Sequence, residues 1–155
     1  MGQEIERKFL LQDDSWRGDI QRSISMRQGY LVGNPASSVR IRVEDEHAFI
    51  NIKSATLGIQ RQEFEYAIPP GDAESMLNAF CAGAQLTKVR HLCFFGRHTW
   101  EIDEFAGENA GLIVAEIELS AVDEQFDRPP WLGEEVSEDA RYYNVCLIER
   151  PYTRW

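Results

Sequence analysis

Cysteine is scarce and poorly placed for cross-linking: Cys81, Cys93 and Cys146 are odd in number, widely spaced and without a Cys-x-x-Cys pair. That excludes a disulfide framework and a cysteine-based structural zinc site, and it reads as reduced, mostly buried thiols of a cytoplasmic protein. Histidine is equally thin. His47, His91 and His98 form no His-x-x-x-His or related ligand spacing, so imidazole–metal chemistry is not indicated. No apolar run reaches the roughly 18 residues that a membrane-crossing helix needs. The N-terminus carries acids and bases where a secretory signal needs an apolar stretch, and Gly2 lacks the downstream Ser or Thr of a myristoylation signal. No repeat, low-complexity tract or Pro/Gly/Ser linker interrupts the chain, so a single domain over residues 1–155 is expected.

Positive charge is the other shortage, with 16 Lys and Arg against 26 Asp and Glu and a formal net charge of -10. The balance argues against a phosphate-backbone footprint on nucleic acid and against anionic membrane surfaces. A polyanion would have to meet a local cluster of cations. No Gly-x-x-x-x-Gly-Lys-Ser/Thr loop offers a phosphate cradle, and no Ser/His/Asp or Cys/His constellation has suggestive local context. Oligomeric state is not written in the composition, which is compatible with a homodimer.

What the chain does contain is alternation. "EIERKFLL", "ISMRQGYLV", "SVRIRVED", "HAFINIKS", "RQEFEYAI", "LTKVRHLCFF", "RHTWEIDEF" and "LIVAEIEL" are short strand-like runs, most of them separated by turn clusters such as "GNPASS", "ATLG" and "FFG". The pattern predicts a mainly β, α+β protein built on an antiparallel sheet, and about eight strands suffice to close a barrel. "PPGDAESMLNAFCAGA" predicts one intervening helix, capped by Asp72, with Met76, Leu77, Phe80 and Cys81 on its apolar side. The tail predicts a second helix from Ser137 or Glu138 to near Arg150, stopped by Pro151. It would sit near one end of the sheet, either plugging a mouth or docking on the outside.

Side chains two apart in a strand share a face. Glu4, Glu6 and Lys8 therefore line up together, as do Arg40 with Arg42, Lys88 with Arg90, Glu63 with Glu65, Glu101 with Asp103, and Glu116 with Glu118; Lys53 faces away from Ile50 and Ile52. Two arrangements produce such faces: a half-wet sheet with its charges in solvent, or a barrel whose hydrated lumen holds the charges while its apolar outside is covered. Cations dominate three strands, paired acids dominate three, and the first carries both. That segregation suits a multiply charged phosphate chain with divalent metal. Arg can grip two phosphate oxygens at once, and carboxylates beside a polyphosphate make sense when they hold Mg²⁺ or Mn²⁺, hard cations that prefer oxygen. A glycosidase would use two carboxyl groups but gives no reason for six cations.

The same residues resemble a known family. "EIERK" is similar to the Glu-x-Glu-x-Lys signature of the CYTH superfamily, the triphosphate tunnel metalloenzymes, and the likeness continues in order through "QGYL" (28–31), "VRIR" (39–42), "NIKS" (51–54), "RQEFEY" (61–66), "KVRH" (88–91), "WEIDEF" (100–105), "AEIEL" (115–119) and "YYN" (142–144). It covers essentially the whole chain, at the length of the compact bacterial members. The resemblance implies a closed eight-stranded antiparallel β-barrel forming a tunnel, with a divalent-metal site for triphosphate groups. By motif position, Lys8, Arg40, Arg42, Lys53, Lys88 and Arg90 would bind phosphates, while Glu4, Glu6, Asp103, Glu116 and Glu118 would hold or orient metal and water. Lys8, Lys88, Glu116 and Glu118 would form the catalytic set, with one of the two lysines donating a proton to the leaving oxygen. Asn144 would contribute at the tunnel end, as would Tyr30 unless it serves as a hydrophobic staple, and Glu63, Glu65 and Glu101 would line the tunnel.

The expected activity is hydrolysis of inorganic triphosphate to pyrophosphate and phosphate. Nucleoside triphosphatase, thiamine triphosphatase and class IV adenylate cyclase activities exist in the same family, so the fold alone does not fix the substrate. A non-catalytic polyphosphate or nucleotide sensor is the rival from another class.

Overall fold

The computed structural model describes residues 2–33, 37–54 and 58–155. Parts of the turn clusters "GNPASS" and "ATLG", at 34–36 and 55–57, lie outside them. The strands are β1 (Glu4–Leu11), β2 (Ile20–Gly33), β3 (Ser37–Glu44), β4 (His47–Ser54), β5 (Gln60–Arg61), β6 (Glu63–Ile68), β7 (Gln85–Phe95), β8 (His98–Phe105), β9 (Ile113–Glu118) and β10 (Leu132–Glu135). The helices are α1 (Pro70–Phe80) and α2 (Asn144–Glu149). All described pairings are antiparallel, in the order β10-β1-β9-β8-β7-β2-β3-β4-β6. Among the described residues no helix is long and apolar enough to cross a membrane.

The sheet curls until β1 meets the β5–β6 segment. β5 pairs with β1 at Glu4↔Arg61 and Ile5↔Gln60, and Gly2 and Glu63 exchange two backbone hydrogen bonds of 2.9 and 3.3 Å. The join is short, so the ladder is tunnel-like rather than a strictly continuous ring. β5 and β6 are two pieces of one expected run, broken at Gln62, whose N–H donates to the Ser54 hydroxyl at 3.0 Å. β10 is an addition that the alternation did not reveal: a four-residue strand pairing with the far end of β1.

The burial decides between the two arrangements left open by the sequence. Lys8, Lys88, Glu116 and Asp103 are only 4%, 2%, 3% and 0% exposed, which a solvent-facing sheet surface could not give. The apolar faces point outward and are covered over much of the sheet, while Ile52, Phe64 and Tyr66 on β4 and β6 stay exposed. Phe9, Trp100 and Trp131 pack outside β1 and β8, with Phe9–Trp100 and Trp100–Trp131 ring centroids 5.6 and 5.7 Å apart in edge-to-face contacts. α1 covers Ile41 and Ala48 with Ala73, Leu77 and Cys81. Gly29 permits that approach, because a Cβ there would lie 2.7 Å from Cys81 Cβ and 2.9 Å from Leu77 Cδ2.

Both helix expectations need correction. α1 begins one residue after Pro69 with Pro70 in its first turn, and no side chain caps it; Asp72 lies inside that turn, where its charge favours the helix dipole. Phe80 is 68% exposed, lying off the Ala73–Leu77–Cys81 stripe. In the tail, a continuous helix is interrupted. A 3-10 turn at Ala140–Tyr142, capped by the Asp139 side chain, is followed by extended Tyr143, and only then by α2. The Tyr143 hydroxyl accepts from Gly58 N–H at 3.0 Å and donates to Ser137 C=O at 2.8 Å, which pins the break.

Candidate active site

Inside the curled sheet lies a cavity of about 350 Å³. Its wall holds all six cations expected from the sequence, together with Arg61, and seven carboxylates: Glu4, Glu6, Glu63, Glu65, Glu101, Glu116 and Glu118. Cross-strand register builds it. Pairing of β1 with β9 sets Lys8 opposite Glu116 and Glu6 opposite Glu118, β8 places Glu101 opposite Glu116, and β7 places Arg90 opposite Asp103.

One side is tightly braced. Lys8 Nζ donates to Glu116 Oε1 at 2.5 Å and to Glu6 Oε1 at 3.3 Å. Arg90 contacts Glu101 at 2.7 Å, Asp103 at 2.8 and 2.9 Å, and Glu116 at 3.4 Å. Lys88 Nζ donates to Asp103 Oδ2 at 2.7 Å and Asn144 Oδ1 at 3.0 Å. Asp103 is fully buried beneath these two cations and does not line the cavity, so its geometry is that of a brace for Lys88 and Arg90 rather than a ligand reaching the lumen. On the other side Lys53 contacts Glu63 at 2.9 Å and both Glu4 oxygens at 3.3 Å, and Arg42 contacts Glu44 at 2.5 Å and Glu65 at 3.1 Å, so the slack there is at Arg40. Arg40, 7% exposed, has a buried Nε with no hydrogen-bond partner among the described residues.

Proton affinities follow this arrangement. Burial and the neighbouring Glu116 carboxylate push Glu6 up, burial pushes Glu101 up, and burial with Glu4 and Glu101 nearby pushes Glu118 up. Glu116 is also buried, yet Lys8, Arg90 and Lys88 outweigh burial and hold it well below the usual carboxylate range. Burial lowers Lys88 to about 8 despite Asp103. For Lys8 burial works in the same direction, but Glu116 and Glu6 together overcome it and raise the ammonium above an ordinary lysine.

Glu6, Glu101 and Glu116 each offer a carboxylate oxygen, and these oxygens lie within 4.8 Å of one another. Three hard oxygen donors at that spacing, two of them pushed up by burial and mutual repulsion, fit a hard divalent cation. Sequence reasoning left Glu101 without a metal role and missed Arg61. Both were reachable from strand alternation, since Arg61 shares a face with Glu63 and Glu65, but their distances across the lumen were not. Tyr30 and Asn144 reach the cavity as expected, joined by Tyr143 and Val145.

A small antiparallel β-tunnel whose lumen carries charges of both signs around a carboxylate trio is a fold and site chemically suited to short anions together with hard cations. The family comparison specifies it: the CYTH domain model matches residues 2–152, and the chain belongs to the CYTH family. It is 41% identical over 152 residues to an inorganic triphosphatase of Acetivibrio thermocellus, covering 98% of this chain and 97% of that protein. An inorganic triphosphatase of Nitrosomonas europaea is 36% identical over 152 residues, covering 93% and 95%. The crystal structure of an inorganic triphosphatase superposes with a TM-score of 0.66 at 33% identity, covering 94% of this chain and 93% of that one. A Pyrococcus horikoshii protein, at 19% identity and a TM-score of 0.61, shares the fold.

Proposed function

We propose that this protein is a metal-dependent triphosphatase that hydrolyses inorganic triphosphate to pyrophosphate and phosphate in the lumen. The observation that carries the reading is the cavity itself. It is large enough for a short phosphate chain and lined by seven cations and an equal number of carboxylates. A wall so balanced has no spare positive charge for a multiply charged anion. Divalent cations held at the carboxylates reverse that balance and let the arginines and lysines engage phosphate oxygens.

Glu6, Glu101 and Glu116 would hold Mg²⁺ or Mn²⁺, with Glu4 and Glu118 beside them. The bound metal supplies Lewis acidity and neutralises charge on the phosphoryl group. Arg40, Arg42, Lys53 and Arg61 bind and orient the chain from β3, β4 and β5. Arg90, braced by three carboxylates, presents a fixed guanidinium to the charge that develops on transfer. Glu118, less tightly engaged than Glu116, orients the attacking water. Lys88, buried and held at about 8, is suited to hold a proton for the leaving oxygen, with Asn144 and Asp103 fixing its Nζ. Lys8 instead stays charged and ties Glu116 in place. Unpaired Cys81, Cys93 and Cys146 support a cytoplasmic setting.

Phosphate release from equal concentrations of inorganic triphosphate, pyrophosphate, ATP and thiamine triphosphate, with Mg²⁺, Mn²⁺ or chelator, tests this reading beside Glu116→Gln. Metal-dependent release is expected from triphosphate well above the others, and loss of about 100-fold or more in the variant. Preference for ATP would replace inorganic triphosphate by a nucleotide. Tight binding without metal dependence or turnover would make the protein a sensor.

A further inference from the structure

Outside the lumen, β2, β7 and β8 assemble a chain of polar groups that the triphosphatase chemistry does not use. The Ser23 hydroxyl lies 2.7 Å from His91 Nδ1, and His91 Nε2 lies 3.1 Å from Glu104 Oε1. Arg17 donates to the other Glu104 oxygen at 2.9 Å and so keeps that carboxylate ionised. An ionised Glu104 takes the imidazole N–H at Nε2, leaving the Nδ1 lone pair to accept the Ser23 proton. His91 is 9% exposed beneath the Trp16 ring, whose centroid is 5.3 Å away, while Ser23 itself is open to solvent. The strand register shifts between Ile20 and Arg22, immediately before Ser23, and such bulges re-aim nearby side chains. Three residues from distant parts of the sequence thus form a nucleophile, a base and an orienting carboxylate.

We propose that Ser23 is a nucleophilic serine, activated by His91 and Glu104 on the outer wall, which takes an acyl group from activated carboxylic esters. His91 and Glu104 lie in strands paired on both sides, whereas Ser23 has a ladder partner only on the β7 side because β3 pairs with β2 from Met26 onward; these ladders build no convergent pair of N–H donors for an oxyanion. The acyl donor must therefore bring a good leaving group, which restricts the class to aryl esters and similarly activated compounds. In the step, Ser23 Oγ bonds to the acyl carbon while its proton passes to His91 Nδ1. The ester C–O bond breaks, the phenolate leaves with the electron pair, and His91 returns the proton to water.

Ser25 supplies an internal control. It is exposed on the same strand and the same face, but its ladder partner is Val89 rather than a histidine. The full-length protein is treated with p-nitrophenyl acetate, nitrophenolate release is followed, and acetylated serines are mapped by mass spectrometry. Ser23 should be acetylated about 100-fold faster than Ser25, the lower end of what a positioned general base supplies. His91→Gln should bring the two to similar rates, and Glu104→Gln should slow Ser23 less severely. Ser23→Ala should lose the initial burst and retain full triphosphate turnover, separating this site from the lumen. Equal labelling of Ser23 and Ser25 in the unaltered protein would overturn the proposal, as would labelling of Ser23 that is unaffected by His91→Gln.

Discussion

Arg90 and Arg40 face the same cavity from opposite halves of the sheet, yet they are built differently. Arg90 is held by Glu101, Asp103 and Glu116, whereas Arg40 has a buried Nε without a partner among the described residues. The β1–β9–β8–β7 half is a braced wall in which every cation has carboxylates at hydrogen-bond distance. The β3–β4 half keeps hydrogen-bonding capacity in reserve. A pre-organised wall suits charge that appears during reaction, and a reserve of donors suits an incoming ligand.

Substitution should separate the two halves. Arg90→Ala leaves Asp103 and Glu116 buried with less compensation and should cost about 3–5 kcal/mol of stability along with turnover, read as a large fall in Tm and in kcat. Arg40→Ala should lower kcat/KM by about 100-fold with little change in Tm, because no protein hydrogen bond at Nε is lost. Equal Tm losses in the two variants would break the comparison. Lys88 sharpens it in another way. Burial lowers its pKa from 10.5 to about 8, so the folded protein holds this proton less firmly than the unfolded chain, and stability attributable to Lys88 rises with pH across that window. A triphosphate beside it favours the charged form. Binding at about pH 9 should therefore take up as much as about one proton, measured by calorimetry in buffers of different ionisation enthalpy, and Lys88→Arg should abolish that uptake. The smallest effect is expected at Glu65→Gln, on the Arg40 side, where the carboxylate accepts from Arg42 and Asn51. KM should shift by less than about threefold, since a partly exposed ion pair contributes little.

Much of this was legible in the sequence because strand alternation is local. "HAFINIKS" became β4 and "EIERKFLL" became β1 residue for residue, so the faces holding Lys53, Glu4, Glu6 and Lys8 followed from the period of two. Distances across the lumen depend on register between remote strands, which no local period encodes. Hence Glu101 emerged as a partner of Glu6 and Glu116 only in three dimensions, and Asp103, on the expected face, turned out to lie beneath Lys88 and Arg90. β10 was missed because four residues containing a glycine carry too little pattern. The tail break escaped because Tyr143 is fixed by the remote Gly58 as well as by the Ser137 carbonyl at the expected start of the helix.

The sharing of β1 among three neighbours carries a cost in time. This strand is synthesised before all three of them, but its long partner, β9, is Ile113–Glu118, and β5 and β10 hold only short stretches of its other edge. Until residue 118 has been synthesised, β1 has no extended partner, and pairing so remote in sequence is slow to form. Glu4, Glu6, Arg7 and Lys8 make that waiting segment a poor template for sticking to other nascent chains. Glu4, Glu6 and Lys8, which line the lumen in the folded protein, thus serve the waiting strand as well.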